Sequence, residues 1–386
     1  MRYDLPDELN FDILSRLPSK SLLRCRSVCK AWLSLISSEK FTAAHLQKFN
    51  QLHPRKLVRR FELLKNRETY SVHLDNKSLT VDPGTLITFP FKCKDCDINS
   101  FGIRGCCNGV VCLSHECILK EDKIILWNPS IRRKLDIHPP NIHLSLIAYY
   151  FPALGFGYDK INDDYKVVKV TYNHHVVYAP QVEIYTVRTA TWREVAFPQH
   201  LPSMYFKGPQ VFLNGCVHWI AFEWWKTNSP YCSIMKLDLS TELFEEIPLP
   251  TCFVSEAPAS LELALVNEQL AVVFSKNLHL PRASASTYII WVMKEYKNPT
   301  SWKMMWNVKY DRDMGRVLQL TDSGEIIMGS RYGELMFRDY IMGYYDPHCL
   351  GFITEESIYV DRYEESLALL DIGEDIIKEE EEDLQQ

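Results

Sequence analysis

The sequence predicts a small all-helical unit at the N-terminus followed by one large all-β domain, and three observations carry that reading. Apolar residues recur at helical spacing between Leu9 and Ile36, interrupted by Pro18. Beyond Leu86 the chain turns to short apolar, β-branched and aromatic runs separated by turn residues, with few long helical stretches. Within that region hairpin-like segments return at intervals of roughly fifty residues, the spacing of four-stranded propeller blades.

The helical unit opens at Leu5-Pro6, followed by Asp7 and Glu8. Proline suits the first helical position, where its missing N–H would be unpaired anyway, and acids in the first turn suit the positive end of the helix dipole. Leu9, Ile13, Leu14 and Leu17 form the apolar face. Pro18 ends the helix, Ser19 can cap a second one carrying Leu22 and Leu23, and Val28, Cys29, Trp32, Leu35 and Ile36 give a third apolar face. Three short helices over roughly forty residues, with no disulfide pattern or metal set, cannot close a self-sufficient core, so the unit needs a partner. Lys20, Arg24, Arg26 and Lys30 stand between the apolar positions and suit a partner that is hydrophobic in its groove and acidic at its rim. On these residues alone, an ordinary helical cap on the following domain fits as well.

Leu5-Pro6-x-Glu8, Ile13-Leu14-x-Arg16-Leu17-Pro18 and Leu22-Leu23-Arg24-x-Arg26-x-Val28-Cys29-Lys30-x-Trp32, with Leu35-Ile36 and Phe41 behind them, resemble the F-box over its full length without a gap. The resemblance implies docking on the adaptor Skp1, which bridges to a cullin scaffold and a RING ubiquitin ligase. It makes Leu5, Pro6, Leu9, Ile13, Leu14, Leu17, Pro18, Leu22, Leu23, Val28, Cys29 and Trp32 the residues expected to touch the adaptor or shape the surface it meets. Leu14 and Trp32 are the expected anchors.

The expected layout is an F-box over residues 1–46, a linker over 47–60, a β domain over 61–372 and an acidic, disordered tail over 373–386. Arg55, Lys56, Arg59 and Arg60 read as a solvated basic face of the linker. No Gly/Ser-rich spacer occurs there, so the F-box is expected to be held semi-rigidly against the next domain. The tail reads EDIIKEEEED from Glu374 to Asp383, a run of like charge without aromatic residues.

In the β region, GCCNGVVCL at 105–113 leads to ILWNPSIRRKL at 125–135, and VEIYTVRTATWR at 182–193 has the same strand–turn–strand form. LNGCVHWI at 213–220 precedes MKLDLSTELFEEIP at 235–248, and similar pairs follow to residue 337. Five units are traceable between 103 and 337; strands near 61–74 and 357–370 would complete a circle of about six blades. One blade cannot bury both faces by itself and needs neighbours on either side. Asn128-Pro129-Ser130, Thr189-Ala190-Thr191 and Asp238-Leu239-Ser240-Thr241 are turns by residue type, their small side chains able to bond their own backbone.

A second resemblance rests on GCCNGVVC at 105–112, WNPSIR at 127–132, GFGYD at 155–159 with DYKVV at 164–168, NGCVHW at 214–219 and DLSTE at 238–242. In order and spacing these are similar to the kelch-like F-box-associated domain of plant F-box proteins, a family that includes the pollen S-locus F-box proteins and regulators of immune receptors. The resemblance implies a substrate-recognition domain without naming the substrate.

Composition narrows the function further. With 386 residues, 46% hydrophobic, there is length for a sizeable core, and a net charge of −6 argues against general nucleic-acid binding. No apolar run reaches the length of a membrane span and no signal-peptide pattern follows Met1, so a cytoplasmic or nuclear protein with twelve reduced cysteines is expected. Cys93-x2-Cys96 has a zinc-type pair spacing, but the second pair among Cys106, Cys107, Cys112 and Cys117 is wrong for a knuckle, and His174, His175 and His218 have no carboxylate or cysteine at a telling distance; no metal or cofactor is expected. No nucleophile elbow, phosphate loop, H-E-x-x-H or kinase motif occurs, and catalytic residues are not assigned. Tyr178, Tyr205, Trp224, Trp225 and Tyr231 lie near expected loops and are candidate contacts for a protein substrate. The expectation is a non-catalytic substrate receptor of an SCF-type ubiquitin ligase. A propeller hydrolase, a lectin-like binder, or an F-box scaffold acting outside the ligase are the alternatives.

Overall fold

In a computed structural model, the described residues run from 6 to 375, apart from 63–66, 76–80, 89–90, 92–100, 116–122, 139–152, 173–179, 200–203, 224–230, 255, 277–285, 311–313, 321–325, 331–334, 338–339, 343–357 and 373. The chain forms two compact units, one of residues 1–117, 121–139 and 359–386 and the other of residues 118–120 and 140–358.

The first unit begins with four helices where three are expected: α1 (Asp7–Leu14), α2 (Ser19–Cys25), α3 (Lys30–Ile36) and α4 (Glu39–Leu52). Pro6 stands at the N-cap of α1 with Asp7 and Glu8 in the first turn. Val28 and Cys29 precede α3, and the Cys29 thiol accepts a hydrogen bond from the Trp32 amide at 3.4 Å. The fourth helix arises because Ser38 caps it, accepting from the Phe41 amide at 3.3 Å, and because Phe41, His45, Phe49 and His53 follow at four-residue spacing and stack along one face.

Residues 47–60 are not a linker. They hold the end of α4 and strand β1 (Arg55–Glu62), with only His53 and Pro54 between. The basic cluster is correspondingly not a solvated face: Lys56 and Arg59 are buried, Arg59 Nη2 lies 2.7 Å from Glu68 Oε1 and Arg55 Nη1 lies 2.8 Å from Glu365 Oε1. Both faces of this strand are covered, and a buried cation persists only when paired. β1 pairs with β2 (Arg67–Leu74), β2 with β3 (Val81–Thr88), and the far edge of β1 is taken by β24 (Ile358–Tyr363) from the C-terminal end of the chain.

The second sheet of this unit holds β4 (Phe101–Cys107), β5 (Val110–His115), β6 (Ile124–Asn128) and β7 (Arg133–Ile137), and β25 (Glu374–Asp375) adds a fifth strand beside β7. The start of the acidic tail is thus paired backbone; the remainder of the expected tail lies outside the described residues. Asn108 and Gly109, both at positive φ, turn β4 into β5.

The second unit holds four four-stranded antiparallel sheets, each with its strands in sequence order. They are β8 (Ala153–Asp159), β9 (Asp164–Thr171), β10 (Gln181–Thr186) and β11 (Thr191–Val195); β12 (Tyr205–Leu213), β13 (Cys216–Phe222), β14 (Cys232–Asp238) and β15 (Phe244–Ile247); β16 (Leu261–Val266), β17 (Gln269–Lys276), β18 (Ser286–Met293) and β19 (Trp302–Tyr310); and β20 (Met314–Leu320), β21 (Ile326–Ser330), β22 (Leu335–Phe337) and β23 (Tyr340–Met342). Inner strands such as β13 and β14 are buried almost throughout, whereas β11 at a sheet edge is exposed at most positions. Sheets covered on both faces need near-continuous apolar strands, which explains why strict alternation is weak in this sequence. Among the described residues, five sheets have the four strands of a blade, against the six expected, and the remaining sheet is the five-stranded one closed by β25.

Candidate functional site

The twelve residues expected at the adaptor surface separate into two sets. Leu9, Ile13 and Val28 are 50%, 49% and 65% exposed, whereas Leu14 and Leu22 are 2% and 0% exposed. Pro6, Pro18 and Cys29 are also exposed, and Leu5 lies outside the described residues. Leu14 and Leu22 instead form an internal core with Ile36, Phe41, Ile131, Leu367 and Leu370, against which Leu17, Leu23 and Trp32 pack half-buried. A short amphipathic helix has one broad apolar stripe, and here the packed side of that stripe carries Leu14 while the open side carries Leu9 and Ile13. The two expected anchors therefore sit in or against the core. Leu33, which the motif does not single out, is exposed beside this set in sequence on α3.

Lys20, Arg24 and Lys30 are exposed among these positions. Asp12 on α1 is held below the usual carboxylate range by Lys48 and Arg16, which both pair with it. The surface thus offers aliphatic side chains and cations, a combination suited to a groove with an acidic rim.

The core under this surface is closed by a segment far away in sequence. Residues 364–371, following β24, send Leu367 and Leu370 between the helices. Glu365 Oε2 accepts from the Ser19 amide at 2.8 Å, so the first amide of α2 is satisfied by a carboxylate 346 residues away; Ser19 is the first helical residue and Pro18 occupies the N-cap. Glu365 N donates to Asn50 Oδ1 at 2.8 Å, and Asn50 Nδ2 donates to Glu365 O at 3.0 Å. The same segment rests on the β4–β5 and β6–β7 turns. Asn128 Nδ2 lies 3.1, 3.1 and 2.9 Å from Ser366 O, Ser366 Oγ and Ala368 O, and a Cβ on Gly109 would stand 2.4 Å from Glu364 O. The GCCNGVVC and WNPSIR motifs therefore build the seat of this C-terminal strap.

In the second unit the remaining motifs are packing and turn devices. Lys166 Nζ is buried 2.9 Å from both Asp159 Oδ2 and Glu242 Oε1, and Ser240 Oγ donates to Asp159 Oδ1 at 2.6 Å. Burial opposes ionisation of Asp159, but hydrogen bonds from Asn162, Lys166 and Ser240 outweigh it and hold the carboxyl well below the usual range. Asp238 Oδ1 accepts from the Ser240 and Thr241 amides at 2.9 Å, as its turn chemistry predicts. His218 is buried, sharing a 2.9 Å hydrogen bond with Tyr296 Oη and a 3.2 Å one with Val211 O; burial lowers its pKa to about 4. It is a packing histidine of β13. Cys106, Cys107 and Cys112 sit in β4 and β5, burial raises the pKa of Cys106 and Cys112, and no group able to hold a metal occurs among the described residues. Cys93, Cys96, Cys117, His174 and His175 lie outside them.

Of the candidate substrate contacts, Tyr178, Trp224 and Trp225 lie outside the described residues. Tyr205 is half-buried and stacks on Tyr172 with centroids 4.7 Å apart. Tyr231 is exposed, and its hydroxyl donates to Glu246 Oε1 at 2.6 Å; burial and that carboxylate push its pKa up to about 12. Tyr205 pairs across β12–β13 with Phe222, and Phe222 pairs with Cys232 on β14, so Tyr205 and Tyr231 lie at the same end of one sheet.

Comparison with known proteins agrees with this layout. Residues 3–43 match the F-box domain, and residues 60–340 match the F-box associated beta propeller domain. An F-box/kelch-repeat protein of Arabidopsis thaliana is 26% identical over 87% of this chain and 88% of its own length. A putative F-box protein of the same plant is 28% identical over 64% of this chain and 61% of its own length, so the chain spans about three fifths of that relative. Among solved structures, a puromycin hydrolase is similar at 9% identity and a TM-score of 0.42, over 62% of this chain and 37% of the hydrolase, too distant to speak to chemistry. By the match over most of its length, the chain belongs to the F-box-associated β-propeller family and carries an F-box at its N-terminus.

Proposed function

We propose that this chain is the substrate-recognition subunit of an SCF-type E3 ubiquitin ligase. The F-box docks a Skp1-like adaptor, which joins it to a cullin, and the β domain captures a target protein. The observation that carries the reading is the exposure of Leu9, Ile13, Val28 and Leu33 in the F-box segment, with Lys20, Arg24 and Lys30 exposed in the same segment, over a core closed from within. Pro6, Pro18 and Cys29 complete the contact set, and Leu14, Leu17, Leu22, Leu23 and Trp32 shape it from beneath.

In this reading the chain makes and breaks no bond. Its contribution is proximity: a tethered target meets the ubiquitin-loaded enzyme at an effective concentration of about millimolar. It acts without cofactor, in the cytoplasm, the nucleus or both. The test is adaptor binding by the full chain beside Leu9→Asp/Ile13→Asp and Val28→Asp variants. Wild type should bind and the variants should lose about thirtyfold or more in affinity while keeping their thermal transition. Absence of binding by wild type, or equal binding by all forms, overturns the proposal.

A further inference from the structure

The docking helices are tied to the β structure of their own unit by one short covalent link, His53-Pro54, between α4 and β1. A single two-residue link leaves the helical unit free to turn about its backbone dihedrals. Ile131, Leu367 and Leu370 pack into the helical core, and Glu365 adds the directional polar attachment that removes the remaining freedom. Its carboxylate binds the Ser19 amide at the start of α2 through Oε2 and Arg55 at the start of β1 through Oε1, both at 2.8 Å. Its own peptide group is clasped by the Asn50 amide side chain near the end of α4 through two hydrogen bonds of 2.8 and 3.0 Å. Asn50 is buried, the Arg55 and Glu365 side chains are 17% and 13% exposed, and a charge-assisted pair that is largely shielded from water holds its geometry better than a surface pair.

One residue therefore joins two helices and the first strand, while Leu367 and Leu370 immediately after it fill the helical core. A second ion pair from the strap to the helices, Arg26 with Asp371 at 3.3 Å, has Asp371 largely exposed and contributes little. We infer that Glu365 is a positioning residue: it fixes the orientation of the adaptor-docking helices on the adjoining sheets, and so sets the direction in which a captured target is presented. The consequence for target presentation rests on the proposed ligase function; the fixing of orientation does not.

The test uses the full chain with encoded, non-cysteine spin labels at the exposed positions Ser34 and Lys123, both in the first unit. Pulsed-EPR distances are measured first without adaptor. Wild type should give a narrow distribution; Glu365→Ala should broaden it by about twofold or more, because the attachment at α2 opens locally, and Glu365→Gln should fall between. Asp371→Ala should match wild type. Leu367→Val, which loosens the strap without touching the polar node, should lower the melting temperature without broadening the distances; broadening equal to that of Glu365→Ala would mean that any loss of stability suffices and would overturn the assignment. A Glu365→Ala distribution as narrow as wild type would overturn it as well.

With adaptor and a reconstituted ligase, Glu365→Ala should keep adaptor affinity within about threefold yet slow ubiquitin transfer to bound target by about tenfold. Failure of wild type to bind adaptor would remove the ligase reading and leave the distance result standing.

Discussion

Asn128→Ala is the most direct probe of how the F-box is supported. The side chain is fully buried, its two N–H donors are shared among Ser366 O, Ser366 Oγ and Ala368 O, and its Oδ1 accepts from the Ser130 amide at 2.9 Å. Alanine removes two donated bonds and one accepted bond and leaves buried backbone groups facing a small void. The Ser130 bond lies within the turn and survives opening of the strap, so at about 1 kcal/mol net for each of the two donated bonds the loss is about 2 kcal/mol, on the order of thirtyfold in the opening equilibrium of the strap. Hydrogen exchange followed by mass spectrometry on the full chain reads this directly, since peptides covering 364–371 should exchange about thirtyfold faster. Asn128→Asp should cost more, because it keeps the acceptor for Ser130 and turns a carboxylate toward carbonyl oxygens. An increase of less than about threefold for Asn128→Ala would refute the reasoning, since that is under 1 kcal/mol and no different from an exposed site.

Three other perturbations have definite outcomes. Leu22→Ala should lower unfolding free energy by about 2–5 kcal/mol in denaturant titration, whereas Ile13→Ala, on the open face, should change it by less than about 0.5 kcal/mol. His218 has its folded pKa lowered by burial to about 4 against about 6.5 when unfolded, so its contribution is complete above pH 6.5 and is lost as pH falls toward 4, at up to about 1.4 kcal/mol per pH unit; that slope, taken as the difference between wild type and His218→Gln, should vanish below pH 4. Gly157→Ala would place a Cβ 2.3 Å from the Phe212 ring and should cost about 1–3 kcal/mol, measured as a shift in the denaturation midpoint with an unchanged slope.

Much of the architecture was legible because it is local. Helical spacing from Leu9 to Ile36, the Pro18 break, and the Asn108-Gly109 and Asn214-Gly215 turns act within a few residues, and hairpins between adjacent strands inherit that locality. The family motifs were equally readable, but their physical roles were not. Asn128 reads as a turn former, and it does receive the Ser130 amide, yet its donors hold a segment 238 residues further on.

What the sequence by itself determined is which residues are apolar, how they repeat, and therefore the helices, the turns and the succession of β units. Only the tertiary structure decided which side of each apolar stripe is covered. Leu14 and Leu22 face inward because Leu367 and Leu370 arrive to meet them, leaving Leu9, Ile13 and Val28 open. The same holds for charge: Arg55 and Arg59 look solvated until Glu365 and Glu68 are placed beside them. Periodicity encodes a face but not its partner, because the free energy of burial depends on contacts made by whichever distant segment folds against that face.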